Sequence, residues 1–447
     1  MEVYIPPKNF KTITVEAINV ISNASNTFYG YLSGEDLTTG SDNSAFGNQA
    51  LPNVTDGIKN VAIGKESLFS NTGGSNNVAI GYTALYSNLS SENTAIGYRS
   101  LTANGNISGN TAVGAFSGES NTTGQYITAI GYKALQTSST AGNNTAIGAF
   151  ALQNNTDGIG HVAVGKSALA NNTVGNYNTA VGEQALFTNV DGIENTALGY
   201  QALFSNEDGN SNMAIGRRCM YTNVGGTANV AIGRNALYYN VSGNNNVAIG
   251  YNSLNANTGS NNVAVGRNAL NSAGNTTANT ALGTYTLESN LTGNENTALG
   301  FSVLQANTSS FNTAIGASAL ISSTGTSNTA VGRLSLYSNT TGANNVSVGR
   351  DSGRTNITGN QNVFIGDSAG YNASQKDDAT NSIAIGYQVY TTASNQVIIG
   401  NSSITEVKFS DGAQATFSND ATDLATTTAL VNKIKDWMID NKTMAAS

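Results

Sequence analysis

Asn229-Val230-Ala231-Ile232-Gly233-Arg234-Asn235-Ala236-Leu237-Tyr238-Tyr239-Asn240-Val241-Ser242-Gly243-Asn244-Asn245 is one beat of a rhythm that runs through most of the chain. Its first five residues, with Thr for Val and Val or Leu for Ile as variants, recur 22 times, their glycines running from Gly47 to Gly400. The step is 17 residues with occasional 16, and only the last two steps, 20 and 14, depart from it. Self-similarity at a short fixed period is the mark of a solenoid, in which each repeat buries its apolar side only by stacking on its neighbours.

Within the beat, residues 229–233 alternate in the manner of a short strand. Val230 and Ile232 fall on one face, Ala231 and Gly233 on the other. Ala236-Leu237-Tyr238-Tyr239 predicts a second strand, and Asn-x-x-Gly predicts a turn whose glycine takes positive φ. Two strands and two turns per coil make a flattened parallel β-roll. A propeller blade needs about 40 residues, and a hexapeptide β-helix needs apolar spacing of six. Here the spacing is two and then five. The expected core is a ladder of stacked Val and Ile. The opposite face stays small in coil after coil, at Ala62, Ala79, Ala95, Ala129, Ala180, Ala231, Ala248 and Ala314. A solvent-facing position has no reason to stay so small, so this ribbon predicts close packing against sister copies, with threefold closure as the simplest symmetry.

Composition agrees with a repeat protein. Charged residues are 10%, glycines 50 of 447 and prolines 3, while hydrophobic residues still make 39%; about a quarter charged is usual. The net charge of −8 comes without a basic run or face, which argues against nucleic-acid binding. One cysteine excludes a disulfide framework. The opening Met1-Glu2-Val3-Tyr4-Ile5-Pro6-Pro7-Lys8 lacks the basic-then-apolar signature of a signal peptide. No stretch approaches the 18 or so apolar residues of a spanning helix. Synthesis in a cytoplasm, without membrane insertion, is the expectation.

The coil type Asn-Ser/Thr-Val-Ala-Ile-Gly resembles the head domains of trimeric autotransporter adhesins, which are left-handed parallel β-rolls assembled as trimers. Asn-Thr-Ala-Ile-Gly-Tyr-x-Ala-Leu arrays are similar to those of bacteriophage tail fibres and other virion fibres. The stretch Asn395-Gln396-Val397-Ile398-Ile399-Gly400-Asn401-Ser402-Ser403-Ile404-Thr405 resembles the end of such phage repeat regions. The resemblance covers about 43–405. It implies an elongated, trimeric, surface-displayed protein. An adhesin needs an exported N-terminus and C-terminal membrane strands, neither legible here, so the phage fibre is the leading expectation: a spacer and host-surface adhesion element of a virion. A bacterial adhesin passenger segment on the cell surface, or a glycan-degrading tailspike, are the alternatives.

Three regions follow: 1–40 as a non-repetitive attachment segment meeting other virion proteins, 41–405 as the solenoid, and 406–447 as a cap. Residues 10–21 alternate well enough for one or two strands. Val407-Lys408-Phe409 and Ala415-Thr416-Phe417 predict a strand pair. Asp423 to Asn441 predicts a helix with Leu424, Leu430, Ile434, Trp437 and Met438 on its apolar side, serving either as a three-stranded coiled coil or as a single-helix cap.

The chemistry-bearing residues are few. His161 stands where the motif has Asn, and Cys219 and Met220 stand where it has Ala-Leu. None has a partner for nucleophilic or metal chemistry. Asp56, Asp157, Asp191 and Asp208 each precede a glycine; Asp-Gly is a favoured tight turn, and paired carboxylates of a glycosidase are the sharper alternative. Stacked Asn turns can form hydrogen-bonded ladders. No enzymatic activity, cofactor or metal is expected. The position after the motif glycine carries Tyr82, Tyr98, Tyr132, Tyr200 and Tyr251, then Arg217, Arg234, Arg267, Arg333 and Arg350, with Lys65 and Lys166. That stripe either contacts a host glycan or protein receptor or lies over a neighbouring subunit.

Overall fold

The computed structural model describes residues 25–272, 274–408, 414–416 and 435. The chain is an all-β parallel solenoid of about 22 coils with about 17 residues per turn. It divides into two compact units, up to Glu295 and from Asn296. In the first, sixteen three-residue strands run from β1 (Thr27–Tyr29) to β16 (Thr280–Leu282). In the second, seven run from β17 (Thr297–Leu299) to β23 (Val397–Ile399). Pairing is parallel and in register, Ala on Ala, as for Val230↔Val247, Ala231↔Ala248 and Ile232↔Ile249. The stack starts earlier than the sequence rhythm suggests. Thr27-Phe28-Tyr29 pairs with Ser44-Ala45-Phe46, so the boundary expected at residue 40 falls inside it.

Two expectations about the coil are corrected. The first concerns its inner face. In every strand from β1 to Ile383–Ile385 the central residue is the buried one and its flanks are half-buried or exposed, as in Val230-Ala231-Ile232. Ala62, Ala79, Ala95, Ala129, Ala180, Ala231, Ala248 and Ala314 are all 0% exposed within their own chain. They form the core, and the Val and Ile ladders lie outside. The reason is crowding. Most coils also turn inward a Leu, a small residue before it, and two asparagines, and beside these a 17-residue loop leaves room for little more than a methyl group on the strand.

The second correction concerns Ala236–Tyr239, which is a run of turns rather than a strand. Ala236 and Leu237 are adjacent and both fully buried. An extended strand cannot do that, since its side chains alternate faces. The backbone solves it with positive φ at Asn235 (55°) and Leu237 (53°), which returns consecutive side chains to one side. The turns still stack by hydrogen bonds: the Leu237 N–H donates to Ser253 O at 2.9 Å, and the Tyr239 N–H to Asn255 O at 2.8 Å.

Positive φ falls not at the Asn-x-x-Gly glycine, where it was expected (Gly243 does not take it), but at the motif glycine, which turns the corner between strand and turns. At Gly233 φ is 134°, and a Cβ there would lie 2.5 Å from Gly250 O. Only glycine fits such an angle beside a stacked backbone.

Core volume is held constant by compensation. Phe28 takes the alanine place where Gly34 takes the leucine place, and a Cβ on Gly34 would meet the Phe28 ring at 2.7 Å. Phe364 does the same opposite Gly370. Ile127 fills an asparagine place beside Gly118, 3.5 Å from where its Cβ would be. Close packing requires such exchanges.

Two columns of asparagine run inside the coils. In the first, just before the strand, each Oδ1 accepts the backbone N–H of the next coil, as in Asn195 to Asn178 (2.9 Å), while Nδ2 donates to a turn carbonyl, as from Asn195 to Gly209 O (2.7 Å). The second is an amide ladder. Nδ2 of Asn172, Asn189, Asn206, Asn223 and Asn240 each donates to Oδ1 of the asparagine one coil earlier, at 2.7–2.9 Å. The ladder stops at Asn240, whose Oδ1 is buried without a partner. There the next coil is one residue shorter in its turn, and Asn257 donates to Gly259 O instead.

Glu406–Lys408 and Gln414–Thr416 form a strand pair where one was expected, and it is antiparallel, with Val407 opposite Ala415; Phe409 and Phe417, included in the expected strands, lie outside the described residues. The helix expected over 423–441 and the strands expected over 10–21 lie outside the described residues, save for Lys435, which is helical.

Candidate binding surface

Turning the alanines inward turns the branched apolar residues outward. Ile147 is 38% exposed and Leu198 45%, with Ile63, Ile96, Ile130 and Leu282 alike in the first unit and Leu299 and Ile365 in the second. The first strand position adds Val162, Met213, Val263 and Val346. Each unit therefore carries a continuous apolar column after the buried residue of its strands; the column before that residue is Val, Ile or Met in about half of the strands and Thr or Ser in the others.

The residues of the Tyr and Arg stripe are exposed. Coil stacking brings them into contact. Tyr82 and Tyr98 stack at 5.4 Å between ring centroids, 13° from parallel. Tyr98 meets Phe116 edge-on at 5.1 Å, and Phe116, Tyr132 and Phe150 continue the chain of rings. The cations lie over rings one coil away: Arg217 over Tyr200 at 5.9 Å, Arg234 over Tyr251 at 5.7 Å and Arg267 over Tyr285 at 5.7 Å. Arg350 instead pairs with Asp367 at 2.9 Å. That ion pair is solvent-exposed and contributes little to stability.

A second aromatic column lies five residues past the motif glycine. Phe187, Phe204, Tyr221 and Tyr238 stack at 5.1–5.2 Å, within 13° of parallel, and Phe69 stacks on Tyr86 at 4.8 Å. The constant offset from the glycine was the signal that identifies it.

His161 acts as an asparagine would. Its Nδ1 accepts the Asn178 N–H at 3.2 Å, as Oδ1 does in the coils on either side, and Nε2 lies 3.2 Å from Asn172 Nδ2. Burial pushes its pKa down to about 4, so the ring is neutral. Cys219 is buried, its thiol donates to Ala231 O at 3.1 Å, and burial pushes its pKa up to about 12. This is a packing cysteine, far from the thiolate that reactivity requires. Asp56, Asp157, Asp191 and Asp208 sit exposed at turn tips. Among the described residues, no three His, Cys, Asp or Glu side chains gather in a way that could hold a metal ion, and no helix is long and apolar enough to cross a membrane.

No protein-family model matches the chain, and no curated protein sequence matches it significantly.

Proposed function

We propose that the chain is a structural fibre protein of a bacteriophage virion, a tail or head fibre, working as a homotrimeric spacer and host-surface adhesion element. The observation that carries this reading is the apolar ribbon of Val, Ile and Leu flanking the buried alanines. Soluble monomers seldom leave contiguous apolar patches larger than a few hundred Å² exposed. A ribbon repeated in register, coil upon coil, matches itself best, so sister copies aligned in parallel are its natural cover, and closed rotational symmetry prevents runaway association. The interface is thus moved from the alanine face to the opposite one. The phage setting rests on the resemblance of the Asn-Thr-Ala-Ile-Gly-Tyr-x-Ala-Leu arrays and of residues 395–405 to virion fibres.

Immunogold electron microscopy of intact particles tests the role. Antibody raised against the recombinant chain should decorate thin projections on phage particles. Decoration confined to bacterial envelopes, with bare particles, would overturn the virion assignment.

A further inference from the structure

Along the outer edge of the coils, the position two past the motif glycine holds long side chains in Glu66 and Arg99 but a short one in Thr83, between them. All three have φ between 50° and 58°, so they project from equivalent points of successive coils. The short residue leaves a notch of about 310 Å³, at the lower end of small-molecule sites. Glu66 and Arg99, from the coils before and after Thr83, line it together with the rings of Tyr82, Tyr86 and Tyr98. Two steps of ~4.8 Å separate the backbones of Glu66 and Arg99 by about 10 Å, the span of one six-membered sugar ring with its hydroxyls.

The charges at the two ends are already compensated. Lys65 Nζ lies 3.2 Å from Glu66 Oε1, and Arg99 Nε lies 2.9 Å from Glu119 Oε1. The notch therefore offers acceptors at one end, donors at the other and ring surface between, with little net charge. Its floor adds a further observation. Thr83 is 8% exposed, and its Oγ1 is buried without a hydrogen-bond partner. Buried hydroxyls are normally satisfied. A turn about χ1, which exchanges this hydroxyl with the methyl group, would present it to a ligand hydroxyl seated in the notch.

We infer that this notch is a binding site for a single neutral pyranose, the terminal or branch sugar of a surface glycan. With Lys65 paired to Glu66 and Arg99 paired to Glu119, no free cation is left in the notch for an anionic sugar, and a purely aromatic ligand leaves the polar ends unused. The inference rests on the adhesion reading and gives that reading a ligand class.

Saturation-transfer NMR on the full-length protein, with the methyl pyranosides of glucose, galactose and mannose as probes, is the test. At least one should bind, with Kd on the order of millimolar. Tyr98→Ala and Glu66→Gln should each weaken it about tenfold or more, while Tyr177→Ala, on a distant turn, leaves it unchanged. Thermal melts should confirm that the variants fold. Absence of transfer to all three sugars, or binding that survives both substitutions, overturns the site. A trimer that binds no sugar would refute the notch and leave the fibre intact, whereas a monomer that binds sugar would refute the fibre and leave the notch.

Discussion

The Nδ1 of His161 accepts the backbone N–H of Asn178, one coil on, at 3.2 Å, the bond that Asn178 Oδ1 in turn accepts from Asn195 at 2.9 Å. A neutral imidazole can stand in for an amide in this column because it offers one acceptor and one donor. A protonated one cannot, since both nitrogens become donors. The folded pKa near 4 lies below the ordinary value of about 6.5. Below 6.5 the unfolded chain therefore takes up a proton that the fold refuses. Stability from this group is complete above pH 6.5, falls as the pH drops toward 4, and is level below that. The loss is about 3 kcal/mol. Denaturant melts of wild type and His161→Asn between pH 7 and pH 4 should show that difference opening in this window. Parallel curves would refute the assignment.

Leu237 combines full burial with a φ of 53°. Truncating a buried leucine to alanine costs about 2–5 kcal/mol, and glycine is ordinarily worse than alanine by about 0.5–1 kcal/mol. In the left-handed region an L-residue costs roughly 1–2 kcal/mol that glycine avoids. Thermal melts should therefore show Leu237→Gly at least as stable as Leu237→Ala. The ordinary order, with glycine clearly worse, would mean that the turn geometry is different.

The amide ladder makes Asn206 both donor and acceptor. Its Nδ2 reaches Asn189 Oδ1 at 2.7 Å and Gly209 O at 3.0 Å, and its Oδ1 receives Asn223 Nδ2 at 2.8 Å. Asn206→Ala strands buried partners on both sides at about 1–3 kcal/mol each. Chemical denaturation should show a loss of at least about 2 kcal/mol, against less than about 0.5 kcal/mol for an exposed asparagine such as Asn154, by the ordinary cost of a surface change. Equal effects would show the ladder to be dispensable.

The period, the in-register parallel stacking and the terminal strand pair were all legible in the sequence, since each rests on spacing alone. The facing of the strand was not. Val230 and Ile232 are larger and more apolar than Ala231, and the usual rule places such residues inside. What overrides it is volume. Leu237, Ala236, Asn229 and Asn240 already fill the coil, and only a methyl group fits beside them. The constancy of alanine does signal crowding, but the crowding comes from the chain's own interior and not from sister copies. The adjacent Ala-Leu pair, buried together, was the clue that its segment is not extended. The first coil was hidden because Phe28 replaces the alanine, and Gly34 the leucine, that the motif leads one to seek.

Ala231 and Ile232 separate the two facings experimentally. Ala231→Val overfills the core and should cost about 1–3 kcal/mol in thermal or chemical melts, with the association state unchanged. Ile232→Asp, on the outer ribbon, should leave each coil folded by circular dichroism and weaken association. The reverse pattern would restore the alanine face as the interface.

Sedimentation equilibrium of the folded full-length chain bears most directly on whether copies cover that ribbon. The expected mass is three times the chain's 45.8 kDa, held across dilution into the nanomolar range. A single species of 45.8 kDa, with the Val and Ile ribbon open to water, would contradict it.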